Sequence, residues 1–196
     1  MRDYVSDPKF LLQKKIEKHF NEKYPDKWIP LYSQVTFSDI RYSDAWKTGM
    51  TGFPIIDAAM RQLLHEGWMH NRLRMVVAMF FTKNMLHDWR LGEAYFMQNL
   101  IDGDFSSNNG GWQWSSSTGT DAAPYFRIFN PITQSTNFDK EGLFIKKYVP
   151  ELKDLDKSVI HDPPKEHRKY CGYPDQILDL KTSRLRAIDA FKAAKS

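Results

Sequence analysis

The residues with the most chemical information lie between Asp102 and Trp114. This segment reads Asp-Gly-Asp-Phe-Ser-Ser-Asn-Asn-Gly-Gly-Trp-Gln-Trp, so two carboxylates, two amides and two indoles fall close together. The wider window 91–126 holds four acidic residues, seven aromatic residues and no Lys or Arg. A packed core prefers aliphatic residues at a helical period. The mixture therefore indicates a site for a planar aromatic ligand that needs both stacking surface and hydrogen bonds at its edge.

A basic segment precedes this acidic window. Residues 61–90 carry five Lys or Arg and two acidic residues. A basic segment followed by an acidic one favours pairing of charges across a site. The alternative is an ordinary scatter of charges over the surface. If Asn71 begins a helix, Arg72 and Arg74 project from its first turn, where backbone N–H groups already favour anions. The alternative is a solvated, Arg-rich helix start.

The two carboxylates of the segment have several possible roles. Asp102 and Asp104 could act as general acid and base, could anchor polar groups of a ligand, or could be solvated at the end of a helix. With Arg74 upstream, we favour an ion pair between Arg74 and Asp102. A lone His70 is more typical of a structural residue than of a catalyst, and no second His stands at metal-ligand spacing, so we predict no metal site.

Composition limits the class of protein. The chain has 196 residues, of which 41% are hydrophobic and 27% charged, as in a single globular domain. One cysteine, Cys171, excludes an intramolecular disulfide and a cysteine-based zinc site. No apolar run approaches about 18 residues and the N-terminus lacks an apolar signal core, so we expect an intracellular protein, cytoplasmic if the source is bacterial. The net charge of +4 permits a polyanionic partner without requiring one.

The periodicity of apolar residues predicts an all-α fold, without alternating strand segments or internal repeats. Residues 1–45 are interpreted as a charged lead-in and irregular segment, and residues 46–196 as the helical domain. Gly103 and the run Asn108-Asn109-Gly110-Gly111 are expected to break the third of the domain's helices. The predicted helices are 8–23, a helix from Pro54 to Gly67, one capped by Asn71, 91–101, a turn or short helix from Pro131, 142–149 and about 183–194.

Several motifs resemble the photolyase/cryptochrome family. They are Thr51–Arg61, Gly67–Met75, Asp88–Arg90 and Tyr95–Phe129, and they occur in the family's order. More narrowly, they resemble the catalytic half of a cyclobutane pyrimidine dimer DNA photolyase, because His70 with Trp112-Gln113-Trp114 fits the DNA-repairing branch. The resemblance implies a partial, all-helical FAD-binding domain with a cavity that opens onto a basic DNA-binding face.

The resemblance also assigns roles to individual residues. The positions that match flavin-binding residues are Arg74, Asp102, Gly103, Asp104 and Asn108. Among these, Asn108 matches the residue that faces the flavin N5. The positions that match DNA or lesion contacts are Asn71, Arg72, Met75, Trp114 and Gln134. Trp89 and Trp112 match the two inner members of a tryptophan chain that passes electrons to the flavin.

The implied activity is light-driven repair of pyrimidine dimers in DNA. Reduced FAD passes one electron to a dimer that has been flipped out of the duplex, as photolyases do, and the electron returns after the dimer splits. A neutral amide at Asn108, rather than an acid, would disfavour protonation of the reduced flavin. The alternatives are a flavin-based photoreceptor of cryptochrome type and a helical DNA-binding remnant without cofactor.

The sequence also departs from the family pattern. Photolyases are roughly twice as long, with an N-terminal antenna domain, a Ser/Thr loop that contacts phosphate and a Glu-x-x-Trp-Arg-Glu-Phe segment, none of which we find. The outermost tryptophan of the electron chain is expected near residue 36, where Thr36 and Phe37 stand, and Trp46 matches a different position. We therefore expect weak FAD binding, poor folding of the isolated chain, or a complementary chain that supplies the other half.

Overall fold

The architecture is that of an all-helical domain, which confirms the predicted fold class. The computed structural model describes residues 37–119 and 121–194, and side chains from residue 43 onward. This described part contains nine α-helices and no strand. The helices are α1 (Phe37–Thr48), α2 (Pro54–Glu66), α3 (Asn71–Met79), α4 (Trp89–Asn99), α5 (Phe105–Ser116), α6 (Pro131–Phe138), α7 (Leu143–Tyr148), α8 (Lys165–Cys171) and α9 (Leu180–Ala193). A π-helical turn, Phe80–Asn84, continues α3, and a 3-10 turn spans Pro150–Leu152.

Helix α2 forms as its sequence predicts. Pro54 occupies the first turn, where its missing N–H leaves no intrahelical bond unmade. Gly67 ends the helix in the left-handed conformation, with φ of 65°, and its N–H donates to the carbonyl of Leu63. The segments predicted from Pro131, over 142–149 and near the C-terminus are also helical, although the last begins at Leu180.

The start of α3 differs from the prediction by one residue. The N-cap is His70, whose Nδ1 accepts a hydrogen bond from the backbone N–H of Arg72 at 3.1 Å. Asn71 is therefore the first helical residue rather than the cap. The imidazole nitrogen replaces the side-chain oxygen that usually caps a helix.

The prediction that the Asn-Asn-Gly-Gly run interrupts helical structure is wrong. Gly103 does lie in the turn between α4 and α5, but residues 108–111 are helical within α5. The cap Asp104, which accepts from Ser107 N–H at 2.8 Å, starts the helix. Burial of Asn109 and Trp112 on one face of α5 then outweighs the low helix propensity of Asn and Gly.

Two further differences concern segments that lack strong local signals. Residues 1–45 were interpreted as a charged lead-in and irregular segment, whereas a helix, α1, occupies Phe37–Thr48. Helix α8 was not predicted. The predicted helix 8–23 lies outside the described residues, as do Thr36 and the side chain of Phe37, and the division at 45/46 stays a prediction.

The core lies where α2 packs against α1, α3, α6 and α7, while α5 packs against α3 and α4. Trp46 is fully buried in this core, and its indole N–H donates a hydrogen bond to the carbonyl of Val77 at 3.2 Å. Its ring contacts Phe81, Phe96 and Trp112.

A polar cluster fastens the C-terminal segment to the start of α2. Asp57 is fully buried and accepts hydrogen bonds from Thr51, Gly52 and the hydroxyl of Tyr173. Burial raises the pKa of Asp57, against the lowering effect of these hydrogen bonds. The guanidinium of the buried Arg168 donates to the carbonyls of Gly52, Pro163 and Pro174.

None of the helices in the described ranges is long and apolar enough to cross a membrane.

Candidate functional site

A cavity of about 130 Å³ opens beside the turn between α4 and α5. Residues of α3, α4, α5 and the turn itself line the cavity. Seven of the sequence-predicted site residues lie in this wall, namely Asn71, Arg74, Met75, Asp102, Asp104, Asn108 and Trp112. The acidic segment and the basic helix start therefore meet, as their opposite charges indicated.

The pairing of Arg74 with Asp102 is confirmed. The guanidinium Nη2 donates to both carboxylate oxygens of Asp102, at 2.7 and 3.0 Å, and Nε donates to the carbonyl of Met69 at 2.7 Å. The side chains are 27% and 44% exposed, so solvent screens the attraction. The pair joins α3 to the α4–α5 turn at the surface of the cavity, not in the deep interior.

Asn108 is held in a defined orientation by Glu93. Its amide nitrogen donates to both the backbone carbonyl and the Oε1 of Glu93, each at 3.0 Å. Within the described residues, its Oδ1 accepts no hydrogen bond, so this oxygen remains available to a ligand in the cavity. Glu93 is almost fully buried. No local sequence spacing relates it to Asn108, so the motifs do not reveal this contact.

Trp112 forms the buried inner wall of the cavity. Among the described side chains, its ring contacts Phe96 at 5.1 Å, Phe81 at 6.0 Å and Trp46 at 6.1 Å between centroids. Trp89, at the start of α4, is partly buried and packs against the same core. The buried Trp46 is thus an aromatic neighbour of Trp112 that the family pattern did not assign to the electron chain.

The other predicted residues lie outside this cavity wall. Gly103 is in the turn, Trp89 is at the start of α4, and Trp114 is half-buried on α5. Gln134 is on α6, and its buried Oε1 has no partner within the described residues. Arg72 points to another cleft, where its guanidinium lies 4.8 Å from the ring centroid of Phe138.

A buried lysine supports the loop that follows α5. Lys83, in the π-helical turn, is 0% exposed and donates to the carbonyl of Arg127 at 2.8 Å. Burial, with a smaller contribution from the positive charge of Arg127, lowers the pKa of Lys83 to about 7. The sequence gives no sign of this contact, because the two residues are far apart in the chain.

Comparison with known proteins identifies the family. A family model described as "FAD binding domain of DNA photolyase" matches residues 4–193. The chain belongs to this photolyase family. The resemblance deduced from the motifs is thereby confirmed, and the match includes most of the predicted lead-in as well as the helical domain.

Relatives of this photolyase-family chain include named enzymes. It is 55% identical over 161 residues to the deoxyribodipyrimidine photo-lyase of Escherichia coli, covering 81% of this chain and 34% of that protein. It is 57% identical over 157 residues to the enzyme of that name from Alkalihalophilus pseudofirmus, covering 76% and 33%. The chain therefore spans about a third of the length of these curated relatives.

Solved structures of photolyases share the fold. A class III photolyase from Agrobacterium tumefaciens has a TM-score of 0.76 at 40% identity, covering 94% of this chain and 41% of that one. An archaeal photolyase from Sulfolobus tokodaii, solved with two FAD molecules, has a TM-score of 0.73 at 36% identity, covering 97% and 45%. A Synechocystis cryptochrome has a TM-score of 0.71 at 31% identity, covering 96% and 43%.

Proposed function

We propose that this chain forms the FAD- and DNA-binding part of a deoxyribodipyrimidine photo-lyase, a carbon–carbon lyase that repairs cyclobutane pyrimidine dimers with light. The observation that carries the proposal is the cavity in which the Arg74–Asp102 pair, the oriented Asn108 and the buried Trp112 meet. Relatives that share more than half of the aligned residues are named for this activity.

The residues of the cavity fit FAD as the cofactor. Arg74, Asp102, Asp104 and Asn108 would hold it, with the Asn108 Oδ1 as an acceptor at its edge, while Gly103 shapes the turn that carries the two carboxylates. Gly111 lines the cavity, and a side chain added there would project into open space, so its absence leaves room for a ligand. FAD, when bound, supplies light-driven one-electron chemistry.

The chain's own residues would place and protect that chemistry. Trp112 lies in the cavity wall and is shielded from water, so it can donate an electron into the cavity, and Trp46 and Trp89 are candidates to refill it. Asn108 carries no acidic proton and its amide nitrogen is held by Glu93, so it orients a ligand without protonating it. Asn71 and Met75, on α3, would face an extruded dimer.

The test is reconstitution of the 196-residue chain with FAD, followed by its visible absorption spectrum and a repair assay. We expect flavin bands, and restoration of intact thymines in a dimer-containing oligonucleotide under blue light. Asn108→Asp should retain the bands but change the protonation of the reduced flavin, whereas Glu141→Gln, at an exposed ion pair elsewhere, should behave as wild type. Absence of flavin bands both for this chain alone and after addition of the remaining part of a related photolyase contradicts the proposal.

A cryptochrome-type photoreceptor is the second candidate, favoured by the fold shared with a cryptochrome. Flavin bands without repair in the same assay would support it. DNA binding without flavin bands would instead support a cofactor-free DNA-binding remnant. If repair requires a second polypeptide, adding the remaining part of a related photolyase should restore it, which tests the proposed complementary chain.

A further inference from the structure

The ring of Trp46 contacts an oxidisable ring on each of two sides. Its centroid lies 6.1 Å from that of Trp112, in the wall of the cavity, and 5.7 Å from that of Tyr95, on α4. Its other ring contacts within the described residues are with Phe81 and Phe96. Phenylalanine is much harder to oxidise than tryptophan or tyrosine, so neither of these two rings can hold an electron hole. Among the ring contacts of Trp46, one route therefore leads away from Trp112, and it ends at Tyr95.

Burial decreases along this route from the cavity outward. Trp112 and Trp46 are 2% and 0% exposed, whereas Tyr95 is only partly buried and packs against the core. Because Trp46 has no contact with water, a hole on its ring can leave only through a neighbouring ring. Tyr95 is the oxidisable neighbour that also reaches solvent.

The indole N–H of Trp46 is placed so that an oxidised Trp46 keeps its proton. It donates to the backbone carbonyl of Val77 at 3.2 Å, inside the core. A backbone carbonyl accepts a hydrogen bond but is far too weak a base to take the proton in neutral solution. A hole on Trp46 therefore remains a radical cation, which is a stronger oxidant than the neutral indolyl radical and can draw an electron from a phenol.

The phenol of Tyr95 lies at the solvent-facing end of α1. Its hydroxyl donates to the carbonyl of Lys47 at 3.0 Å, one of the last carbonyls of α1, which have no partner within the helix. Burial raises the pKa of Tyr95, so the phenol is protonated in neutral solution. The side chains of Lys47 and of its ion-pair partner Asp44 are 38% and 64% exposed. Water at this end of α1 can therefore take the proton that the phenol must lose when it is oxidised.

We propose that Tyr95 is the terminal electron donor of a relay that runs through Trp46 and refills the electron hole on Trp112. Trp46 passes one electron to Trp112 and becomes a radical cation. Tyr95 then passes one electron to Trp46 and its hydroxyl proton to water. The products are Trp46 with its N–H retained and a neutral tyrosyl radical, which a soluble thiol reduces by giving up a hydrogen atom. The relay rests on the proposed function, which withdraws the electron from Trp112.

The first experiment needs no flavin. A short ultraviolet laser pulse ionises tryptophan in the 196-residue chain, and transient absorption and electron paramagnetic resonance follow the tryptophan radicals and the tyrosyl radical that replaces part of them. Tyr95→Phe should remove the part of the tyrosyl signal that grows as the tryptophan signal decays, and Trp46→Phe should remove the same part. Tyr170→Phe, at a tyrosine that is 92% exposed, is the matched control and should keep it.

The double variant of Trp46→Phe and Tyr95→Phe separates a relay from a packing role. Two residues that act in series should lose no more of the tyrosyl signal together than either loses alone. The signal should also grow more slowly in D2O, because Tyr95 gives up its proton with the electron, and growth at equal rates in both solvents contradicts that step. A tyrosyl signal that persists undiminished in Tyr95→Phe overturns the proposal. Should Trp46→Phe not fold by circular dichroism, Tyr95→Phe carries the test, since it keeps the ring and removes only the hydroxyl.

The flavin-loaded chain distinguishes failure of the relay from failure of the proposed function. Tyr95→Phe should lengthen the lifetime of the tryptophan radical after a blue-light pulse and leave the flavin bands unchanged, because Tyr95 does not line the cavity beside the α4–α5 turn. A chain that shows the Tyr95-dependent signal without flavin, and no flavin bands alone or with the rest of a related photolyase, refutes the photolyase proposal alone. A chain that repairs dimers but has no Tyr95-dependent signal refutes the relay alone.

Discussion

At the scale of single residues, orientation decides which side chains can act. Asn108 alone would be an ordinary helical amide, but two hydrogen bonds from its nitrogen to Glu93 fix the orientation of this amide in the cavity wall. In the same way, three hydrogen bonds fix the Arg74 guanidinium between Met69 and Asp102. The chemistry of the cavity therefore depends on partners that hold each functional group, as well as on the groups themselves.

The Arg74–Asp102 pair should contribute little to stability. Asp102→Asn should lower the free energy of unfolding by about 1 kcal/mol or less, because both side chains are partly solvated. Its effect on FAD binding should be larger, because it removes a charge from the cavity wall. Urea denaturation and flavin titration measure the two effects, and a stability loss of about 3–5 kcal/mol would show that the pair behaves as a buried one.

Trp46 should serve as an outlet for the electron hole on Trp112. The position near residue 36 lacks the outer tryptophan of the family, so photoreduction should be slow or stall at Trp112 and Trp89. Trp46→Phe should make photoreduction slower still, because the ring centroids of Trp46 and Trp112 are 6.1 Å apart and phenylalanine is a poorer electron relay. Transient absorption of the tryptophan radical measures this, with Trp68→Phe as control; a radical lifetime unchanged by Trp46→Phe points to another outlet.

At the scale of elements, close packing of α4 on α5 sets the position of the inner tryptophan. Gly92 of α4 faces Trp112 of α5, and a Cβ atom built on Gly92 would lie 2.1 Å from Cη2 of the indole. Only glycine allows the helices to approach this closely at this point. The loop after α5 is fixed in turn by the bond from Lys83 to the carbonyl of Arg127.

Gly92→Ala should displace Trp112 and destabilise the domain. Overpacking of this kind costs about 1–3 kcal/mol, and the shifted indole should slow electron transfer. Gly110→Ala is the matched control, since its Cβ would meet no atom within 4 Å and alanine should stabilise the exposed helix by about 1 kcal/mol. Thermal unfolding compares the two; a wild-type midpoint for Gly92→Ala would mean that the helices can separate at little cost.

Lys83 should make stability depend on pH. Its pKa is about 7 in the folded state against an ordinary 10.5, so the unfolded chain binds the proton more strongly between these values. Stability should therefore increase as pH rises from 7 to 10, by about 3 kcal/mol if the full shift is expressed. Lys83→Met should lack this increase and Lys153→Met, at an exposed position, should keep it. If the free energy of unfolding of wild type and of Lys83→Met changed equally between pH 7 and 10, the lowered pKa of Lys83 would be contradicted.

At the scale of the whole molecule, α3 divides the ligand-binding surface. One side of its first turn belongs to the cavity beside the α4–α5 turn, and the other side belongs to a second cleft with Trp68 and Phe138. Arg72 lies on the second side, so a substitution at Arg72 does not alter the wall of the first cavity.

DNA binding should respond differently to changes at Arg72 and Trp114. Arg72→Ala should weaken binding and reduce the slope of log affinity against log salt by about one, as expected for loss of one phosphate contact. Trp114→Ala should cost about 1–3 kcal/mol on damaged or single-stranded DNA and less on intact duplex, where no base is extruded. Equal losses on damaged and undamaged duplex would identify Trp114 as a packing residue.

Features that depend on residues close together in the chain could be predicted from the sequence. The apolar periodicity gave the all-α class, Pro54 and Gly67 gave the limits of α2, and the opposed charges gave the Arg74–Asp102 pair. These inferences succeed because helix caps act within a few residues and strong charge asymmetry has few ways to be neutralised. The family resemblance followed from the order of the motifs, each of which is local.

The tertiary structure alone decided the features that depend on distant contacts. The Asn-Asn-Gly-Gly run is helical because α5 buries Trp112 against α3 and α4, a gain that propensity does not include. Lys83 is buried because the loop that carries Arg127 covers it. The contact between Trp46 and Trp112 depends on how the helices pack against each other, and so does the position of Arg72 outside the first cavity. Burial and side-chain direction are set by packing between residues far apart in sequence, which local patterns cannot encode.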